Sequence, residues 1–560
     1  MSIDREIRNF ALENAVRFNG RANVGAVIGK IIGAHPELKK DMKSLSQKVS
    51  EAINKVNSLP LKKQKEELEK NAPELLIKDK KAKQKELPEL KDAVMGKVVT
   101  RLPPEPSKYN HIGHALSFLI NYLYAKKYKG KCLLKFEDTN PEKCTKEYAE
   151  AMEDDIMNYL GIKPDKIVYI SDDMGHMYQK AEEMIIKGKA YVCFCKREKM
   201  QDLRHKGKAC KCRNNTVMKN NEFWHNMINK KYKDGECTLR LKGDMKSNNH
   251  AMRDPVLFRI SYALHFRHKN KYCAWPLYDF ENAVEDCNYK VTHVLRSIEF
   301  GKMREELQNF IKNAIGCKPQ IVKEYGRYNI RGAVTQGRVI RKLIEEGKVS
   351  GWDDPSLVTL KALKRRGIVK ETYYKLVEEV GLSPAGSNID WTIISAINRS
   401  ILDKKAERFF FVENPVKIKI QGAPKQRISI NLHPEDTARG SREFVTHEDF
   451  FISSEDLDGF EESKLNRLMD CMNFVKKDKF IFDSLEYNKF KKHGHKIVQW
   501  VIDEHVKVKV RMPDNTYKVG IGEKALHKLD EGAIVQFTRF GFCKLDQKHK
   551  DELEFWFTHK

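Results

Sequence analysis

Residues 101–115 read RLPPEPSKYNHIGHA, so His111 and His114 bracket Ile112 and Gly113 directly after a proline-rich loop. Two imidazoles at such a spot can donate to phosphate oxygens as negative charge builds in a transition state. The glycine lacks a Cβ, so a flat adenine ring can lie on its backbone. Alone the four-residue pattern is weak, and a surface loop with two solvated histidines would read the same, so its setting has to decide. A second cluster is YVCFC…ACKC, with Cys193, Cys195, Cys210 and Cys212. Two Cys-x-Cys pairs suit one tetrahedral zinc, although Cys-x-x-Cys is the commoner spacing. Four reduced thiols in a basic insertion are the alternative.

The setting of the histidines is regular. KVVTRL, from residue 97, is a β-branched strand, and PPEPSKYN is kept out of a helix by its prolines. HALSFLINYLYAKKY is apolar nearly all round, which marks a buried helix. KCLLKFED predicts a second strand, PEKCTKEYAEAMEDDIMNYLGI a helix and KIVYIS a third strand. This β-α-β-α-β order is the unit of a doubly wound parallel sheet. The histidines then fall at the first turn of the helix after the first strand. The helix N-terminus there offers unpaired N–H groups to phosphate. The spot is predicted to bind ATP and to stabilise displacement at a phosphate.

Other segments carry weaker signals. In DREIRNFALENAVRF, Ile7, Phe10, Ala11, Ala15 and Val16 share a helical face, with Asp4 as a candidate N-cap. Residues 61–94 are dominated by charge and read as a solvated helix followed by a linker. Residues 190–270 are Cys-rich and basic, and YCAWPLYDFENAVED and VTHVLRSIEF read as sheet. Residues 340–410 look helical. From 411 the pattern turns to period two in VKIKI, RISINL, VKVKV and GAIVQFTRFGF, with a turn at Pro513-Asp514-Asn515. That predicts a β-rich domain of one or two barrels.

A length of 560 residues predicts about three to five domains. Lys and Arg number 104 against 78 Asp and Glu, a net +26. The surplus favours a polyanionic partner, nucleic acid rather than an anionic membrane, over an incidentally basic heat-adapted surface. No run of 18 apolar residues predicts a transmembrane helix, and the N-terminus has no signal-peptide core. The 12 scattered cysteines read as reduced thiols in a cytosol, which excludes a disulfide scaffold.

PPEPSKYNHIGHA, KFEDTNP, YDFENAVED, THVLRSIEF and GWDDPSLVTLKALKRRG, in this order, resemble the glutamyl- and glutaminyl-tRNA synthetases of class I. The archaeal glutamyl branch is most similar, over nearly the whole chain. The resemblance implies a Rossmann-type α/β catalytic domain with a helical N-terminal appendage, a helical connector and a C-terminal all-β double barrel. The implied boundaries are an appendage with linker over 1–95, catalytic halves over 96–190 and 271–338, an acceptor-stem-binding insertion over 191–270, a connector over 339–410 and anticodon-binding barrels over 411–560. It implies a cytoplasmic ligase that activates glutamate with ATP and Mg²⁺ and transfers it to tRNA(Glu), with tRNA(Gln) left open. His111 and His114 would serve the phosphates and Gly113 the adenine, within a motif region formed by Pro104, Glu105, Pro106, Ser107, Lys108, Tyr109, Asn110 and Ile112. Arg101 would pair with a substrate carboxylate, Glu137 with its ammonium, and Tyr278 would hydrogen-bond it. Arg296 stands where glutaminyl enzymes usually have Cys, and a guanidinium complements a γ-carboxylate.

Three departures surround the ATP site. The mobile loop of the family carries a lysine, whereas here residues 334–338 read VTQGR, leaving Arg338, Arg341 or Lys342 as substitutes. Lys108 replaces a glycine and Lys135 an arginine. A glutaminyl enzyme and a non-catalytic RNA-binding relative are the competing readings.

Overall fold

The computed structural model describes residues 3–17, 20–72, 87–381 and 387–560. The chain divides into two compact units, residues 1–86 and 87–560. The first unit holds helices α1 (Ile3–Arg17), α2 (Val24–Ala34), α3 (Met42–Asn57) and α4 (Leu61–Asn71). Ile7, Ala11 and Ala15 of α1 are buried with Val27, Ile31, Val49 and Ile53, while Phe10 and Val16 are half-buried. Asp4 is not a cap: it lies inside the first turn of α1, which begins at Ile3. The charged helix is α4, and the part of the expected linker over 73–86 lies outside the described residues.

In the second unit, β1 (Val99–Leu102), α5 (Ile112–Lys127), β2 (Lys131–Phe136), α6 (Lys146–Asp154) and β3 (Lys166–Tyr169) follow the expected alternation. The sheet is parallel, in the order β1-β2-β3, with Arg101 opposite Leu133. Helix α5 buries Ile112, Leu116, Leu119, Ile120 and Tyr124, in keeping with its all-round apolar sequence. Residues 87–95 pack with this unit, Tyr124 Oη donating to the Pro88 carbonyl at 2.9 Å.

After α7 (Met174–Ile186) the chain enters an antiparallel sheet of β4 (Ala190–Cys193), β5 (Thr238–Leu241), β6 (Val256–Ile260) and β7 (Ala274–Pro276). Helices α8 (Arg197–His205) and α9 (Val217–Ile228) lie between β4 and β5. The expectation of sheet through YDFENAVED is corrected. Only 274–276 is strand, and Tyr278–Asn288 forms α10, which buries Phe280, Ala283 and Val284 at helical spacing. The parallel sheet resumes with β8 (His293–Ser297), α11 (Gly301–Ala314) and β9 (Ile321–Tyr325). The Thr292 N–H donates to the Val99 carbonyl at 3.0 Å, which sets β8 beside β1.

The cysteine expectation is also corrected. Cys287, near the end of α10, and Cys317, past the end of α11, are joined in a disulfide, while the other ten cysteines are free. The two helices run side by side and bring the Cα atoms to 6.2 Å, within bonding reach. Thirty residues separate the pair, so composition could not reveal it.

A short β10 (Tyr328–Ile330) leads into α12 (Gly337–Glu345), α13 (Leu360–Arg366) and α14 (Lys370–Val380), then β11 (Ser387–Ile389) and α15 (Trp391–Leu402). The remainder is β-rich. Strands β12 (Glu407–Phe409) and β13 (Phe411–Glu413) flank Phe410. Next come β14 (Pro415–Gln421), β15 (Gln426–Asn431), β16 (Ser441–Thr446), β17 (Asp449–Ser453), β18 (Leu465–Leu468), β19 (Asn473–Lys476), β20 (Phe480–Ser484) and β21 (Gly494–Val498). The chain ends with β22 (His505–Arg511), β23 (Tyr517–Glu523), β24 (Ile534–Phe537), β25 (Gly541–Lys548) and β26 (Glu552–His559). One sheet runs β12-β24-β25-β26-β22-β23-β13. Its two edge strands are consecutive in the chain, so the sheet curls into a nearly closed barrel. The other, β17-β14-β20-β19-β18-β21, is a half-barrel around Trp500, Phe450 and Phe474. Among the described residues no helix is long and apolar enough to cross a membrane.

Candidate active site

His111 is the N-cap of α5, and its extended backbone lets the ring fold back onto the helix start. Its Nδ1 accepts from the Gly113 N–H at 3.1 Å, while His114 Nδ1 accepts from the His111 N–H at 3.1 Å. The histidines therefore close a reciprocal cap on each other's turn. Accepting at Nδ1 leaves the proton on Nε2 of both rings, so each presents an N–H donor outward. The ring centroids are 3.8 Å apart. Burial, with the charges of Lys108 and Arg327, brings the His111 pKa down to about 3. Burial, then His111 and Lys108, holds His114 well below its usual value. Both rings are neutral donors at neutral pH. Gly113 is required by space, because a Cβ there would stand 2.9 Å from His111 Cε1.

The proline loop before the histidines is clamped from several sides. The Pro104 carbonyl accepts from the Glu137 N–H at 2.9 Å and the Pro106 carbonyl from the Thr145 N–H at 3.0 Å. The Ser107 N–H donates to the Glu105 carbonyl. Tyr109 Oη donates to Glu147 at 2.6 Å, and Asn110 Nδ2 to Asp155 at 3.2 Å. Ile112 is fully buried. Residues 358–360 close the fourth side: the Ile112 N–H donates to the Val358 carbonyl and the Leu360 N–H to the Asn110 carbonyl.

The candidate loop cations separate here. Gly337 and Arg338 form the first turn of α12 and are not part of a free loop. Arg341 reaches the proline loop and donates to the Ser107 carbonyl. Arg338 is exposed and has no ion-pair partner among the described residues. Lys342 lies on the far side with Glu346, 3.7 Å away. Lys108 packs its stem under Gly337, and burial lowers its pKa. Lys108 and Arg327 are the cations that act on His111, and sequence reasoning passed over Arg327 entirely. Arg327 follows β9 without a local motif, and only the chain path brings it here.

The second group lies at the carboxyl ends of parallel strands, where open α/β sheets bind ligands. Arg101 is the penultimate residue of β1, Glu137 follows β2 and Arg296 sits on β8. Arg101 and Arg296 are only 3% and 4% exposed. Nε and Nη1 of Arg101 and Nε and Nη2 of Arg296 make no hydrogen bond, although Arg101 Nε is ion-paired with Asp286 at 3.4 Å and Arg296 Nη2 with Glu324 at 3.9 Å. Glu137 leaves Oε1 unpaired. Burial pushes the Glu137 carboxyl up to about 7, against the pull of Lys135, Asn282 and Arg101. Tyr278 opens α10 and stacks on Phe300 with centroids 5.4 Å apart, and its hydroxyl feels Glu137, Arg101 and Arg296. Buried polar atoms that make no hydrogen bond are costly, and this constellation concentrates several of them at one place.

Supports hold it in place. Arg296 Nη1 donates to Gln308 Oε1 at 2.9 Å, and Gln308 Nε2 donates to Asp279 at 3.2 Å. Lys135 is fully buried and bonds Asp286 at 2.9 Å and Asn282 at 3.1 Å. It thus lies beside the Arg101 and Glu137 group. Asp286 is held near 2 because Lys135, Arg101 and Lys312 outweigh its burial.

Away from these groups, Cys193, Cys195, Cys210 and Cys212 place their sulfurs within 4.8 Å of one another. Cys193 Sγ and Cys210 Sγ are 3.8 Å apart, and Arg240 Nη1 lies 3.6 and 3.7 Å from them.

Residues 97–404 match the family described as tRNA synthetases class I (E and Q), catalytic domain. Residues 406–490 and 473–546 match two anticodon-binding domain families of the same synthetases. Over all of its length the chain is 39% identical to all of a glutamate–tRNA ligase of Pyrococcus abyssi. It is 36% identical to that of Methanocaldococcus jannaschii, with both chains fully covered. Against the enzyme of Nitrosopumilus maritimus it is 40% identical, over 100% of this chain and 99% of that one. A match through the catalytic domain and both barrel regions, with full-length relatives on the same pattern, places the chain in the class I glutamyl/glutaminyl tRNA synthetase family.

Proposed function

We propose that the protein is a glutamate–tRNA ligase, acting in the cytoplasm where its tRNA is used. The observation that carries this reading is the pair of buried arginines, with four nitrogens that make no hydrogen bond, beside Glu137 with an oxygen that makes none. Glutamate has two carboxylates and one ammonium, the complementary set. Arg296 takes the γ-carboxylate, Arg101 takes a carboxylate, Glu137 holds the ammonium and the Tyr278 hydroxyl hydrogen-bonds the substrate. A glutamine amide opposite Arg296 would leave a buried guanidinium without its counter-charge, at a cost of about 2–5 kcal/mol.

ATP lies with its adenine on Gly113 and its phosphates toward Nε2–H of His111 and His114. A carboxylate oxygen of glutamate attacks the α-phosphorus, and the bond to the bridging oxygen breaks as pyrophosphate leaves. A ribose hydroxyl of the terminal tRNA adenosine then attacks the acyl carbon, loses its proton and expels AMP. No protein nucleophile is needed, so catalysis is placement and charge stabilisation. Lys108, Arg327, Arg338 and Arg341 surround the phosphate end and stand in for the loop lysine. Mg²⁺ enters with the nucleotide as counter-ion of its phosphates. Among the described residues the cluster suited to a metal is the four-cysteine group. Those thiols fit zinc: Zn–S bonds of about 2.3 Å in a tetrahedron set sulfurs roughly 3.8 Å apart. A zinc there would staple β4 to residues 210–212.

The test is aminoacylation by purified protein of tRNA(Glu) and tRNA(Gln), each with glutamate and with glutamine. Glutamate on tRNA(Glu) is the expected product, and glutamate on tRNA(Gln) would mark a broader tRNA range. Glutamine as the preferred amino acid, or tRNA binding without any charging, would overturn the reading.

A further inference from the structure

Two segments singled out in the sequence have no part in the reaction as described: the acidic pair of GWDDP and the turn Pro513-Asp514-Asn515. The structure joins them. Asp354 is fully buried, and its carboxylate accepts from Asn515 Nδ2 at 3.0 and 3.1 Å. The Ser350 N–H (2.8 Å) and the Ser356 N–H (3.0 Å), with both serine hydroxyls, complete its shell. Burial alone would raise this carboxyl, yet the bonds from Ser356, Ser350 and Asn515 bring it to about 2. Asn515 is itself aimed by Arg511, whose Nη2 and Nε donate to its Oδ1 at 2.7 and 3.1 Å. Its φ of +65° is one that asparagine tolerates well. The preceding acid is tied to the same barrel: Arg365 donates to Asp353 and, through two nitrogens, to Asp546, each at 2.7 Å.

From Asp354 the path to the histidines is short. The Leu357 N–H donates to the Asp354 carbonyl at 3.0 Å. Val358 and Leu360 then exchange backbone bonds with Ile112 and Asn110, and His111 is bridged to Thr359. The position of the α5 start is therefore fixed from one side by a turn segment, bridged to it at Thr359, whose own anchor is a barrel turn.

We propose that Asn515 is a positioning residue for the histidine-bearing start of α5, acting through Asp354 and residues 354–360. The catalytic consequence rests on the ligase reading above, whereas the positioning itself does not. Asn515→Gly keeps the left-handed turn and removes the amide. Asn515→Asp keeps the turn and sets a carboxylate against Asp354. In both variants kcat for glutamate-dependent ATP–pyrophosphate exchange, with tRNA present, should fall about tenfold or more, because small misplacements of reacting groups are costly. The KM for glutamate and the Kd for tRNA should stay within about twofold. In the free protein, hydrogen exchange at the Ile112 and Leu360 amides should quicken about tenfold in Asn515→Gly. Unchanged amide exchange there, unchanged kcat, or a loss matched by an equal rise in tRNA Kd would each overturn the proposal. If the unmodified protein shows no exchange reaction, the ligase reading fails, and the two amides still decide the positioning.

Discussion

Arg296 is the side chain proposed to select the amino acid. Its Nε makes no hydrogen bond, its Nη2 lies 3.9 Å from Glu324, and Gln308 accepts from its Nη1. Replacing it with cysteine, Arg296→Cys, should lower kcat/KM for glutamate by about 2–5 kcal/mol and narrow the gap to glutamine. Steady-state kinetics with both amino acids would read this, and an unchanged preference would remove Arg296 from the pocket. Glu137 gives a pH prediction. Its carboxyl is raised from 4.5 to about 7, and only its ionised form can hold an ammonium. The KM for glutamate should therefore fall as pH rises from about 6 to about 8, and Glu137→Gln should flatten that profile. The sign for stability is opposite. Between 4.5 and about 7 the folded protein holds more protons at Glu137 than the unfolded chain, so its contribution declines as pH rises through that window. Denaturant midpoints measured across it should show the decline in the unmodified protein and lose that component in the glutamine variant.

Elements differ in how openly they announce themselves. The start of α5 was legible because everything it needs is local: prolines stop the preceding helix, two histidines cap the turn and a glycine clears space for His111. The cysteine group was legible as two pairs, and β4 with the 210–214 turn brings them together. Elemental analysis of protein purified without chelator should find about one zinc per chain, lost when Cys193→Ser and Cys210→Ser are combined. Absence of metal would leave the four thiols as a packing cluster. Helix α10 was misread as strand because an aromatic run precedes it, although Phe280, Ala283 and Val284 carry a helical spacing. The glutamate group shows the limit. Arg101, Glu137 and Arg296 span almost 200 residues, and only the parallel order of β1, β2 and β8 places them at one edge. Spacing could not group them, and only the family resemblance proposed them as a set. Arg327, Gln308 and Asn515 carry no family motif, and their roles follow from partners distant in the chain.

At the scale of the molecule, a catalytic sheet, an inserted antiparallel sheet and two barrel-like sheets form one compact unit with a large positive surplus. A net +26 predicts that tRNA affinity falls by about a hundredfold or more as salt rises from about 50 to about 200 mM, through release of counter-ions. A flat plot of log Kd against log salt would place the surplus outside the interface. Both the catalytic sheet and the barrels match the class I glutamyl/glutaminyl family, and the catalytic centre keeps its histidines while lacking the loop lysine. If this centre activates glutamate, Lys108 and the nearby arginines supply the charge that a loop lysine would bring. The direct measurement is ATP–pyrophosphate exchange with tRNA present, run with glutamate and with glutamine. Exchange should depend on glutamate, with a preference over glutamine of about a hundredfold or more, and should be nearly lost in His114→Ala. Exchange driven equally well by glutamine, or no exchange by a protein that still binds tRNA, would contradict it.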